Sequence, residues 1–452
     1  MRRKQTLLYF LFMLLAKSQA IGQAVSAPSQ ILTIDLPDAL ARARQYGSQL
    51  QSANIAAALL REDRVQAKAA TLPSLNAFNQ FIYTQGNGTP SGVFVANNGI
   101  HVYNEQAQVH EELLSFLRRG EVRLAAVNEA AAKARVEVAA RGLQVTVVQD
   151  YYAIASAQRK DRNAQLNLRE AQNFLDITQK QERGGEVPHS DVIKAQLQVQ
   201  QRQREMADTQ LAVKKAKVML AVLIFPSLQL SYDVVDDLSK PAILPDLAEV
   251  SGQATASSPD LHTARLNLSA ANLGVSVARH AYLPSLSLDF FYGIDANQFA
   301  ATSHNVPADE RSNLPNFTVD NRNNLGYSAE ATLTIPVWTW GSIHSKVKQA
   351  ALKKSQAALD LTVAQKQLQA DLASAYSEAE TAFGQLESLR SSAELSAESL
   401  RLTLLRYQAG EATALEVVDA QVTASQGRGA YDDGLVRYRV ALATLQSLTG
   451  TL

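Results

Sequence analysis

The chain repeats itself. Residues 67–81 read AKAATLPSLNAFNQF and residues 278–292 read ARHAYLPSLSLDFFY, and the two align without a gap. Leu72 meets Leu283, and Pro73-Ser74-Leu75 meets Pro284-Ser285-Leu286. Further on, Gly185-Glu186 followed by Asp191-Val192-Ile193-Lys194-Ala195-Gln196 matches Gly410-Glu411 followed by Glu416-Val417-Val418-Asp419-Ala420-Gln421. Two halves of about 200 residues therefore share one plan: a strand-like block, a long helical block and a glycine break.

The boundaries follow. Arg2, Arg3 and Lys4 precede the apolar run Thr6–Ala16, and small-residue patterns end at Ala20 and Ala24. This predicts a signal peptide over 1–24, too short to span a bilayer. The first repeat then covers 25–247 and the second 248–452. No later stretch reaches the length of a membrane helix, so a membrane-spanning part must be built of strands. Formal net charge is zero, which gives no basic excess to hold nucleic acid. Cysteine is absent, which removes disulfides and thiolate chemistry.

Each repeat opens with an alanine-rich helical run, 38–70 and 248–281, that stops at Leu-Pro-Ser-Leu. Alternation then begins. Leu286, Leu288, Phe290, Tyr292 and Ile294 fall on one side, with Ser285, Ser287, Asp289 and Gly293 on the other and Phe291 the exception. Residues 325–337 alternate in the same way. The strand pairs are expected near 72–114 and 283–337, each strand about the ten residues a tilted transmembrane strand needs. Within the first pair, Glu105, His110, Glu111 and Glu112 spoil an apolar face.

Proline-free helical blocks follow. Hairpins are predicted over 117–225 and 341–448, broken at Gly184-Gly185 and Gly410, with a proline-bearing linker over 226–247 between the halves. Each first arm is on the order of 100 Å long at 1.5 Å per residue. Leu372, Ala379, Leu386, Ala393, Leu400 and Tyr407 recur every seven, as do Leu124, Ala131, Val138, Val145 and Tyr152. A sustained heptad keeps one seam against a neighbouring helix.

Four strands cannot close a barrel, and an open edge in lipid leaves backbone groups unpaired at several kcal/mol each. The chain must borrow strands from copies of itself. Two copies give eight strands and a filled interior; three give twelve and room for a lumen. Rotational symmetry is the default.

Enzyme readings find no support. No two histidines sit three or four residues apart, and there is no GxGxxG, GxxxxGK[ST] or GxSxG. Neither a cofactor nor a metal is expected.

With the two-fold repeat, the Leu-Pro-Ser-Leu entries, Arg406-Tyr407-Gln408-Ala409-Gly410 and the exit Pro336-Val337-Trp338-Thr339-Trp340-Gly341, the chain resembles the TolC-like outer membrane efflux proteins over essentially all of its mature length. The resemblance implies a mixed fold, a coiled-coil α-helical barrel joined to a transmembrane β-barrel to which each protomer gives four strands. It implies a homotrimer in the outer membrane, reaching through the periplasm to an adaptor protein and an inner-membrane transporter. The duct would export small molecules or proteins passively, through an iris-like tip.

By match to the family, Asp191, Glu416, Asp419 and Tyr407 would form the pore constriction at the tip. The turns at Gly184, Gly185 and Gly410 would dock the adaptor. Trp338, Trp340, Tyr292 and Tyr327 would anchor the barrel at the membrane interface. The family's tip arginine position holds Ala412 here, leaving Arg406 or Arg183 as the cation nearest that place. A competing expectation is a periplasmic coiled-coil adaptor or structural protein without a pore; long heptads suit it, and four alternating strands do not.

Overall fold

The computed structural model describes residues 32–83, 101–240, 242–296 and 325–451. The expected signal peptide and the two inter-strand loops lie outside the described residues.

In chain order the elements are β1 (Leu32–Ile34), α1 (Leu36–Tyr46), α2 (Ser48–Ala69), β2 (Ser74–Tyr83), β3 (His101–Leu114), α3 (Phe116–Arg183) and α4 (His189–Ile224). Then come β4 (Tyr232–Val234), α5 (Leu247–Ser257), α6 (Pro259–His280), β5 (Ser285–Ala296), β6 (Leu325–Thr334), α7 (Ser342–Gln408) and α8 (Ala414–Thr449). Corresponding helices have matching lengths: 22 residues in α2 and α6, 68 and 67 in α3 and α7, 36 in α4 and α8.

Three local differences from the sequence reading have physical causes. The helical runs at 38–70 and 248–281 are each broken in two. Gly47 leaves the helical region with ψ 113° between α1 and α2. Ser258 does the same with ψ 117° because Pro259 follows it, and its hydroxyl caps α6 by accepting from the Leu261 amide. The last strand, expected through Val337, stops at Thr334, because Pro336 has no N–H to continue the ladder. The 226–247 linker also carries β4, which pairs in parallel with β1.

The long helices form a wall. On the sheet side the packing order is α2–α3–α6–α7; toward the glycine turns it is α4–α3–α8–α7. Heptad positions build the seams: Leu368, Leu372, Ala379, Ala382, Leu400 and Tyr407 are the buried residues of α7 beyond Ile343. Alanine knobs let the helices approach closely. The main core lies midway, where α1, β1 and β4 pack on α3 and α4 around Tyr151, Tyr232 and Ile224. Arg159 binds that region to α8: its guanidinium is bidentate to Asp236 at 2.7 and 2.8 Å and reaches Asp432 at 3.1 Å. Asp432 also accepts from Asn163 at 2.8 Å.

The sheet order is β2-β3-β5-β6, all antiparallel, so β2 and β6 are its edges. Register settles the charges of β3. His110 opposes Asp289, and Asp289 opposes Glu330, so these share a face with Gln108, Ser287, Ser328 and Thr332. His110 Nδ1 lies 2.7 Å from Asp289 Oδ1. Glu112 is on that face too, opposite Ser287. The other face carries Leu75, Phe81, Leu288, Phe290, Tyr292, Tyr327 and Leu333, interrupted by Glu105 and Glu111. One face is predominantly polar, with Phe78 and Phe291 as exceptions, and the other predominantly apolar, where Tyr327 and Leu75 are 79% and 73% exposed.

Candidate functional site

The two hairpin turns are built alike. At the end of α3, Gly184, Gly185 and Glu186 donate their amides to the carbonyls of Lys180, Glu182 and Gln181. At the end of α7, Ala409, Gly410 and Glu411 donate to Leu405, Tyr407 and Arg406. Gly185 and Gly410 each have φ 75°, a left-handed conformation that closes a helix end and that a Cβ disfavours.

The returning helices begin differently. Thr413 caps α8 in a reciprocal box: its hydroxyl accepts from the Glu416 amide, and the Glu416 carboxylate accepts from the Thr413 amide. At α4 the cap is Pro188, which offers no side-chain acceptor, and Asp191 stands in the first turn. Both carboxylates complement the positive end of a helix dipole.

An apolar cluster locks the two turns together. Phe174 of α3, Ala195 of α4, Tyr407 of α7, and Ala414 and Val417 of α8 form its buried centre. Ala412, at the position expected to hold an arginine, packs against that cluster. Tyr407 is 2% exposed, and its ring meets Phe174 edge-on at 5.1 Å. Its side chain is thus inside the protomer rather than on an open surface. Burial raises its pKa, the Thr178 bond opposes that rise, and the nearby Asp191 charge adds to it. Gln181 Nε2 donates to the Tyr407 carbonyl at 3.2 Å, tying the end of α3 to the end of α7.

The acids differ in their surroundings. Asp191 Oδ1 accepts from Lys194 at 3.1 Å. Glu416 lies 3.5 Å from Arg406, whose other nitrogen donates to the Glu411 carbonyl at 2.9 Å. Arg406 therefore braces the turn, while Arg183 donates back to the Gln179 carbonyl of its own helix. Asp419 is exposed, one turn beyond Glu416 on α8. Thr178 and Gln181 escaped the sequence reading. A polar residue four positions beyond Phe174 on an apolar seam was the available signal for Thr178.

At the other end, Trp338 and Trp340 lie between β6 and α7, 73% and 89% exposed, with rings edge-to-face at 5.8 Å. Tyr292 and Tyr327 are direct cross-strand partners on the apolar face. Among the described residues no cluster of His, Asp or Glu is placed to hold a metal, and no helix is long and apolar enough to cross a membrane.

Comparison with known proteins gives one consistent likeness. Residues 250–451 match the family described as outer membrane efflux protein. The pyoverdine export outer membrane protein OpmQ of Pseudomonas putida is 31% identical over 158 residues, 34% of this chain and 33% of that protein. Its Pseudomonas aeruginosa counterpart is 24% identical over 67% of this chain and 59% of that protein. The matched segments thus span about a third to three fifths of the length of these relatives. Among solved structures, the outer-membrane channel OprN superposes with TM-score 0.76 at 19% identity, covering 92% of this chain and 90% of that one. The open-state MtrE channel of Neisseria gonorrhoeae gives 0.72 at 21%, covering 92% and 88%. These likenesses place the chain in the outer membrane.

Proposed function

Residues 250–451 form an outer membrane efflux protein domain, and from that premise we propose that the whole chain is one third of a passive export duct. The observation that carries the reading is that sheet and wall end alike in open edges. β2 and β6 each have one unpaired side among the described residues. At the wall's edges, exposed apolar residues run along α2 (Ile55, Leu59), α4 (Leu197, Met219, Val222) and α7 (Leu352, Leu359, Val363). Rows of unburied leucine and valine on a long helix call for a partner helix. The edges of one copy match those of the next when β6 meets β2 and α7 meets α2 and α4. Three copies would then make twelve strands, polar face inward and apolar face to lipid, above a continuous helical tube.

In this reading each protomer is two repeats, 25–247 and 248–452, behind a cleaved leader at 1–24. The duct has no chemistry of its own; an inner-membrane transporter supplies the energy and an adaptor docks on the Gly184-Gly185 and Gly410 turns. The tip is the gate. Asp191, Glu416 and Asp419, repeated three times, would ring the axis and favour cations. Two carboxylates about 6 Å apart repel by about 3 kcal/mol at an effective dielectric of 20, so the shut state needs opposing contacts. The buried Phe174–Tyr407–Val417 cluster and the Arg406 brace supply them. The cargo would be small molecules or proteins, handed on by the transporter. The alternative of a pore-free periplasmic adaptor leaves the apolar face of the sheet without a purpose.

The test is recording from purified protein in planar bilayers, with mass determination of the same sample. A three-copy particle of small conductance is expected, with conductance rising and cation preference falling when Asp191, Glu416 and Asp419 are changed together to Ala. A water-soluble monomer without channel activity overturns the duct. Unchanged conductance and selectivity remove those acids from the gate.

A further inference from the structure

Although the chain has no net charge, six exposed cations stand close together where the helical wall meets the sheet. Four helix–strand junctions lie side by side where wall meets sheet, and every one carries exposed basic residues. Lys68 closes α2, Arg119 opens α3, Arg279 closes α6, and Lys346, Lys348 and Lys353 open α7. None of these six side chains has an ion-pair or hydrogen-bond partner among the described residues, whereas most tip acids are paired. No acidic residue occurs on α7 before Asp360. Arg118, beside them, is already neutralised by Glu112 and Glu121.

Apolar groups border this belt. Ile335, Val337, Trp338 and Trp340 are all exposed in the few residues between β6 and the lysines of α7. Indoles prefer the level of lipid headgroups, where the ring is half in hydrocarbon and the N–H stays wet. Cations immediately beyond such a ring sit within reach of lipid phosphates, and each adds to the attraction of an anionic surface. Lysine stems can lie along the apolar band while their ammonium groups stay at the polar boundary.

We propose that this basic belt is a docking surface for anionic phospholipid headgroups of the leaflet facing the helical tube. The inference rests on the proposed barrel in the membrane. It gives the outer strands and the helical wall a common lipid seat, with the α7 lysines and the Trp338–Trp340 pair as its centre. The occupant follows from charge complementarity and from an exposed apolar band that a free anion would not satisfy.

The test uses the assembled, detergent-purified protein and the triple variant Lys346→Gln, Lys348→Gln, Lys353→Gln. Native mass spectrometry counts adducts during titration with phosphatidylglycerol, phosphatidylcholine or inorganic phosphate. Wild type should retain phosphatidylglycerol at concentrations about tenfold lower than phosphatidylcholine, and the variant should lose that preference while keeping its copy number. Equal retention of the two lipids overturns the proposal, and so does a preference that survives in the variant. Displacement of the lipid by millimolar phosphate would mark a free-anion site and overturns it too. Burial of the lysines between particles, seen as higher assemblies that dissolve in the variant, is a further contrary result. Bilayer conductance of the same sample separates failure of the underlying duct reading from failure of this one.

Discussion

The Tyr407 hydroxyl donates to Thr178 Oγ1 at 3.2 Å, while Thr178 itself donates to the Phe174 carbonyl at 2.8 Å. All three residues are buried, so the bond joins the ends of the two longest helices in a water-free place. Tyr407→Phe removes one hydrogen bond and keeps the ring. The expected cost is about 0.5–1.5 kcal/mol, read in thermal unfolding. If the tip gates the duct, single-channel conductance rises in the same variant. Thr178→Val should act in the same direction, and Tyr407→Ala should cost more, about 3–5 kcal/mol, because it also empties the cluster.

Gly410 offers a backbone test. A Cβ there would meet nothing within 4 Å, yet φ is +75°. Gly410→Ala is therefore expected to cost about 1 kcal/mol through conformation alone, and Gly410→Asn less. Gly142, in the middle of α3, also has open space around it, but its backbone is helical. Gly142→Ala should stabilise by up to about 1 kcal/mol. Denaturation midpoints of the two variants should move in opposite directions.

Arg159 holds the midpoint core to α8. Its side chain is 14% exposed and faces Asp236 and Asp432, which are 22% and 11% exposed. Arg159→Ala would leave Asp236 to Arg162 and Asp432 to Asn163 and is expected to cost on the order of 2 kcal/mol through the charged hydrogen bonds lost. Arg159→Lys should recover little of it, because an ammonium cannot reproduce the two-pronged contact with Asp236. Limited proteolysis within 226–247 is a sensitive readout, and resistance equal to wild type would refute the role.

Glu129 is expected to contribute stability that acid removes. Lys133 on its own helix and Arg64 of α2 hydrogen-bond its carboxylate at 2.6 and 2.9 Å and hold its pKa down to about 2. A depressed folded-state pKa stabilises the fold fully above the ordinary carboxylate range. That contribution is lost as pH falls from about 4.5 toward 2. Glu129→Gln should be less stable than wild type at pH 7, and the gap should narrow as the pH drops through that window. Thermal unfolding of both proteins across the window checks the sign.

Periodicity and punctuation alone determined much of the architecture. Heptads longer than an ordinary helix require a neighbour along their whole length, whatever that neighbour is. Prolines at 73 and 284 end helices because they lack an N–H, and glycine is the residue that turns a helix end at positive φ. Two-residue alternation marks strands for the same local reason. What only the tertiary structure decided depends on contacts far apart in the chain. Register across β3 and β5 put His110 and Glu112 on the polar face, leaving Glu105 and Glu111 on the apolar one. Packing of four helix ends buried Tyr407 and drew Ala412 against it, half-buried. The Arg159 network and the short β1–β4 pair join segments some 80 to 270 residues apart, and no local pattern announces them. The belt of exposed cations at the helix–strand junctions is likewise invisible in a net charge of zero, because charge becomes a surface property only after the chain has been laid out along a wall of long helices.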